Sequence, residues 1–157
     1  MAQSSAGLFP VDRAIAQGAI VDPAQAGSEA HVALTARNRA LMIDFVTILY
    51  EQRDPRRAFE KYVHEDYIQH NPIIADGREN ALKWLEPVFS KKDAEIQVRR
   101  VLVDGDCGVV QIIGRMGPED GGSAIMNIFR IEDGLIVEHW DVTQAMPAET
   151  ASGRPLG

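Results

Sequence analysis

Two side chains set two residues apart, His139 and Asp141, carry the first chemical signal in this chain. They stand in the stretch NIFRIEDGLIVEHWDVTQ, Asn127 to Gln144, which reads as two β-strands joined by a turn at Glu132-Asp133-Gly134. Glu132 and Asp133 suit the centre of a type I turn, and Gly134 suits the left-handed position of a G1 bulge. That register sets Ile131 opposite Leu135, Phe129 opposite Val137 and Asn127 opposite His139. Alternation then places Val137, His139 and Asp141 on one face with Asn127 beside them. Ile136, Glu138, Trp140 and Val142 take the other face. Residues two apart in a strand are separated by about 6.5–7 Å at Cα, so an imidazole and a carboxylate can address one small ligand. A carboxylate partly withdrawn from water can act as general acid or base near neutral pH.

A second group lies upstream in YIQHNP, Tyr67 to Pro72. Pro72 pushes Asn71 toward an extended conformation, so His70 and Asn71 belong to a constrained loop or a short strand. Their side chains can polarise a carbonyl or hold a hydroxyl, and the Tyr67 phenol can join them. Structural readings compete with these. His70 could pin its loop to a backbone group, and Asp141 could satisfy a helix end or an arginine. His70, His139 and Asp141 also make a two-histidine, one-carboxylate set. No H-x-x-x-H spacing supports it, and the expectation is no metal and no cofactor. Trp140 reads as packing, including subunit packing. Cys107, the single cysteine, reads as a small buried hydrophobe. His31 and His64 have no evident partners.

Several elements must position these groups. Ser28 or Glu29 opens a helix reaching about Gln52, with Leu34, Leu41, Met42, Phe45, Ile48 and Leu49 on one face. Asp54 caps a short helix that starts at Pro55 and ends near Val63. Asp76-Gly77-Arg78-Glu79 reads as a capping box opening a third helix, which Pro87 kinks or ends near its last turn. From Ala94 the chain is β, with strands at 95–103, 107–116, 123–131 and 135–144. Helices first and antiparallel strands after mean α+β, a curved sheet wrapped around helices. The segment 1–27 reads as an N-terminal arm, 28–144 as the domain and 145–157 as a loose C-terminal tail.

The chain has 157 residues, of which 45% are hydrophobic, enough for one domain with a core. Its net charge of −7 argues against a nucleic-acid partner. No apolar run approaches a membrane span, and MAQSSAGLFP lacks the basic start and apolar run of a signal peptide. The expectation is a cytoplasmic protein with no membrane partner.

Two motifs resemble a known family. R-I-E-D-G-x-I-V-E-H-W-D-V and Tyr67-Ile68-Gln69-His70-Asn71-Pro72 followed by Asp76-Gly77 are similar to SnoaL-like proteins. These belong to the superfamily of nuclear transport factor two and ketosteroid isomerase. The resemblance covers roughly Leu34 to Gln144. It implies a cone-shaped antiparallel sheet around N-terminal helices, with the His70-Asn71 segment at the mouth. It assigns acid/base work to Asp141. Asn127 stands where the resemblance implies another polar residue in related cyclases, and its departure from histidine argues against an identical mechanism. One scaffold of this kind hosts many reactions.

The expected activity is therefore cofactor-independent acid/base chemistry next to a carbonyl: aldol-type cyclisation, isomerisation or dehydration. Asp141, His139 and His70 are the expected catalytic groups, and Tyr67, Asn71 and Asn127 the substrate-binding ones. The expected partners are a small apolar carbonyl-containing ligand and a second copy of the chain, packed on the outer face around Trp140. The alternative is a non-catalytic module that binds a small apolar ligand in the same pocket.

Overall fold

Ser28, itself extended after a turn at 24–27, accepts a hydrogen bond from the His31 amide at 3.2 Å, which starts the first helix. The computed structural model describes residues 24–157. The expected arm therefore lies largely outside the described residues. Helix α1 runs Glu29–Val46 and continues as a π-helical turn, Thr47–Glu51. Asp54 caps α2, Pro55–Tyr62, by accepting from the Arg57 amide at 3.0 Å. Strand β1, Val63–Gln69, follows, then α3, Arg78–Ser90. The remaining strands are β2, Glu95–Asp104; β3, Cys107–Arg115; β4, Ser123–Glu132; and β5, Leu135–Ala145.

The five strands form one sheet in the order β1-β5-β4-β3-β2. Strands β2 to β5 are antiparallel, whereas β1 joins the edge parallel to β5. The sheet is therefore mixed, curved and unclosed. The segment before Pro72, expected as a constrained loop or a short strand, forms strand β1. It is an edge strand, and an edge needs only one face covered.

The inner face packs on α1 and α2 through a core that includes Met42, Phe45, Ile48, Phe59, Val110, Phe129 and Ile136. Gly108 lets α1 approach β3 closely. A Cβ there would stand 3.1 Å from the Met42 sulfur. Two side-chain ties to Gly105 hold α1 over the β2–β3 turn. Asn38 Nδ2 donates to the Gly105 carbonyl at 2.9 Å, and the Gly105 amide donates to Thr35 Oγ1 at 2.9 Å.

The last hairpin differs from the expected register. Glu132 pairs with Leu135, leaving a two-residue turn at Asp133 (φ 49°) and Gly134 (φ 82°). Positive φ at both central residues is the type I′ pattern, for which Asp-Gly is a favoured pair. The extra residue lies further along. Ile131 pairs with Ile136 and Arg130 with Glu138, so Val137 is a bulge. Phe129 then faces His139 and Asn127 faces Asp141. The bulge turns Ile136 into the core, fully buried. Ile136 therefore does not belong to the outer face, while Glu138 and Trp140 keep their expected place there.

Two other local expectations change. Asp76 does not cap α3; its carboxylate accepts from the Gln69 amide at 2.8 Å, and Gly77, at φ 94°, occupies the N-cap. The C-terminal segment folds back, with Gly157 against Ile113 on the outer face of β3. His31 pairs with Asp104 at 2.8 Å, and the Asp66 amide donates to His64 Nδ1 at 3.1 Å. Among the described residues no helix is long and apolar enough to cross a membrane.

Candidate functional site

Strand alternation on β5 and β1 decides which polar groups meet. On β5, His139, Asp141 and Thr143 face inward behind the Val137 bulge. On β1, Gln69 lies beside His139 in the parallel register, so Tyr67 and Gln69 face inward while Ile68 and His70 face outward. The chain then turns at Asn71-Pro72 and brings Asn71 back to the inner side. The result is a cavity of about 1040 Å³ between the helices and the inner sheet face. Its walls include Leu49, Trp84, Leu85, Val88, Phe89, Ile96, Ile112 and Ile125. A polar wall at one end carries Tyr67, Gln69, Asn71, Asn127, His139 and Asp141, together with Tyr50 from the π-helical turn.

Asn71 Nδ2 donates to Asp141 Oδ2 at 2.6 Å. Gln69 is the junction of the wall. Its Oε1 accepts from the Asn71 amide at 2.9 Å and lies 2.8 Å from His139 Nδ1. Its Nε2 donates to the Tyr67 phenol oxygen at 3.2 Å. His139 Nε2 lies 3.1 Å from Asn127 Oδ1, and Asn127 Nδ2 donates to the Val110 carbonyl at 3.3 Å. The His139 ring is sandwiched between Phe129 and Tyr67, with centroids at 4.9 and 6.2 Å.

Burial dominates the electrostatics. It pushes the His139 imidazole down to about 4, against the pull of the Asp141 charge, so the ring is neutral at pH 7. Burial also pushes the Tyr50 phenol up, and the Asp141 carboxylate adds to the rise. The Tyr67 phenol moves the same way from burial, with Tyr50 and Asp141 contributing and the Gln69 hydrogen bond opposing. Both phenols stay protonated and can donate. That Asp141 acts on Tyr50, Tyr67 and His139 puts one carboxylate at the centre of the wall.

Five of the six sequence-expected residues line this cavity: Tyr67, Asn71, Asn127, His139 and Asp141. His70 does not share it. Its imidazole lies on the outer face, stacked on Trp140 at 4.8 Å with 5° between planes. His70 Nε2 is 2.8 Å from Glu138 Oε1, and Glu138 Oε2 accepts from Arg130 Nε at 2.8 Å. The reason is the two-residue period of β1, extended by the His70 amide donating to the His139 carbonyl at 3.0 Å. His70, His139 and Asp141 therefore do not converge as a ligand set. Two wall residues went unnoticed in the sequence. Gln69 was legible, because it alternates with Tyr67 once the segment is read as a strand. Tyr50 had a weaker signal, a phenol closing the apolar end of α1, and the π turn that aims it leaves no mark in composition.

The fold and this cavity between helices and sheet define a cone-shaped α+β protein of the nuclear transport factor two type. Within that class, the chain belongs to the SnoaL-like domain family, whose model matches residues 42–139. Solved structures agree on the fold. A nuclear transport factor two-like protein of unknown function from Mesorhizobium loti is 18% identical, covering 71% of this chain and 93% of its own, with a TM-score of 0.61. A candidate ketosteroid isomerase from Kribbella flavida is 21% identical over 74% of this chain and 84% of its own, TM-score 0.61. TsrD from Streptomyces laurentii is 26% identical over 69% of this chain and 89% of its own, TM-score 0.55. No curated protein sequence matches the chain.

Proposed function

We propose that this chain is a cofactor-independent enzyme that removes a proton next to a carbonyl, with Asp141 as the base. The observation that supports this most is the setting of that carboxylate. Asp141 lies on the polar wall of a largely apolar cavity, and Asn71 holds its Oδ2 at 2.6 Å. A base anchored through one oxygen keeps the other for the substrate proton. As the proton goes to Asp141, the C–H electron pair becomes the enolate C=C bond and the carbonyl π pair moves onto the oxygen. The phenols of Tyr50 and Tyr67, kept protonated by burial, are the donors for that oxygen. The enolate then takes its proton back at another carbon, attacks a second carbonyl, or expels a β-hydroxyl. These outcomes are isomerisation, aldol-type cyclisation and dehydration.

The substrate that suits the walls is a small apolar molecule with a carbonyl at one end. His139 has both ring nitrogens occupied by protein amides, so it orders the wall while Asp141 does the proton transfer. The alternative, a binding module with the same cavity, predicts ligand uptake without exchange. The test is deuterium incorporation at the α-carbon of apolar bicyclic and tricyclic ketones in heavy water, read by mass spectrometry. The protein should catalyse incorporation, and Asp141→Asn should slow it by about 10²–10⁴-fold with little change in ketone binding. Uptake of the ketones with no exchange would leave the binding module ahead.

A further inference from the structure

We infer that Gln69 is a positioning residue: its carboxamide fixes the His139 proton on Nδ1 and turns the Tyr67 hydroxyl proton into the cavity. A neutral imidazole has one N–H for two neighbours, and here both neighbours are carboxamides. The better anchored one decides. Gln69 is held at both ends: Oε1 by the Asn71 amide at 2.9 Å, and Nε2 by the Tyr67 phenol oxygen at 3.2 Å. Its Oε1 is therefore oxygen by its backbone partner, and at 2.8 Å it requires a donor from His139 Nδ1. Asn127 competes from farther away, 3.1 Å, and a single 3.3 Å donation to Val110 fixes its orientation. Exchange of its amide oxygen and nitrogen presents an N–H to the Nε2 lone pair and gives up only that long donation to Val110, whereas exchange at Gln69 would break two shorter contacts.

The same carboxamide acts on Tyr67. A phenol oxygen that accepts from Gln69 Nε2 must send its own proton elsewhere. With the ring buried between Phe59 and His139, the cavity is where that proton can go. Gln69 also ties down the Asn71 backbone, whose side chain holds Asp141. One side chain thus sets donor and acceptor directions from Tyr67 and His139 to the Asn71–Asp141 pair. Only the use of the Tyr67 proton rests on the proposed reaction. The tautomer does not.

The experiment reads the tautomer without substrate. Long-range proton–nitrogen correlation spectra of uniformly ¹⁵N-labelled protein at pH 7 report both His139 ring nitrogens, assigned by their loss in His139→Gln. The expected pattern is a protonated Nδ1 and an unprotonated Nε2. Gln69→Leu should move the proton to Nε2, toward Asn127. Gln69→Glu keeps the acceptor, adds a charge and removes the donor to Tyr67. It should hold the proton on Nδ1 and raise the His139 titration by about 1–3 pH units, with Asp141 and His70 as the other charges that bear on the ring. Wild-type protein with the proton on Nε2 overturns the inference. So does a folded Gln69→Leu with an unchanged tautomer. Where Gln69→Leu does not fold, a His139 titration unmoved by Gln69→Glu overturns it instead. The ketone exchange assay is independent, so a negative result there with the expected tautomer would sink the reaction and leave the positioning role standing.

Discussion

His139 is a titratable ring almost wholly withdrawn from solvent, and that makes it a source of pH-dependent stability. Its folded value of about 4 lies below the ordinary 6.5. The unfolded chain therefore takes up a proton that the folded chain refuses. Stability is full above pH 6.5 and falls as the pH drops from 6.5 through about 4. The full difference is about 3 kcal/mol at 1.4 kcal/mol per pH unit. Urea unfolding at several pH values should show this fall in the wild type. In His139→Gln the fall over that window should be shallower by a similar amount, even though the substitution lowers stability throughout. Equal slopes would mean that the ring is hydrated in the native state. The residues of the wall were legible where they alternate on a recognised strand, as His139 and Asp141 do. His70 was misplaced because its segment, a constrained loop or a short strand by sequence, had no register from which a two-residue period could assign faces.

At the scale of elements, the β4–β5 hairpin carries the site, and its turn can be tested in isolation. Gly134 sits at φ 82° with no atom within 4 Å of the place its Cβ would occupy. Gly134→Ala meets no clash, so its penalty is that of the left-handed backbone alone, about 1–2 kcal/mol. Thermal or urea unfolding should report that loss, with the cavity chemistry unchanged. A loss much above this would place further strain in the turn. Helix starts at Ser28 and Asp54 could be read from the sequence because a cap is a local event. The Asp76 box failed because a distant partner, the Gln69 amide, claimed its carboxylate. The strand boundaries from Glu95 onward were legible within a residue or two, since each is closed by a turn-forming cluster. The position of the one extra residue, at Val137 instead of Gly134, was not. Alternation shows where faces lie and leaves open where a strand breaks step.

For the molecule as a whole, the outer sheet face remains an expectation about assembly. Met126 pairs with Val142 there, and both are exposed, as are Ile68 and Leu102. Trp140 lies half-buried among them under His70. An apolar set of this breadth on one face suits a second copy of the chain. The Gly157 end, packed against Ile113, limits that face on the β3 side and leaves the β5 side open. Sedimentation at micromolar concentration should give a dimer, and Val142→Asp a monomer that keeps its fold. A monomeric wild type would end the proposal. The curved sheet around helices was legible from the order of helices and strands, and its cone shape from the family resemblance. What could not be read was the parallel edge strand that carries Tyr67 and Gln69 of the polar wall.

The Val137 bulge has a consequence at the level of the gene. Ile136 and His139 face inward with two residues between them, and only one of those two, Glu138, is paired across the ladder. Loss of codon 137 in frame would turn the bulge into regular strand, and His139 and Asp141 would still face the cavity. Loss of codon 140, a change of the same size three residues later, would turn Asp141 outward while His139 stayed in place. Along this strand, then, tolerance of a missing codon switches from permitted to forbidden within three positions. A library of single-codon deletions across 135–143, scored for folding and ketone exchange, should show that boundary as a step.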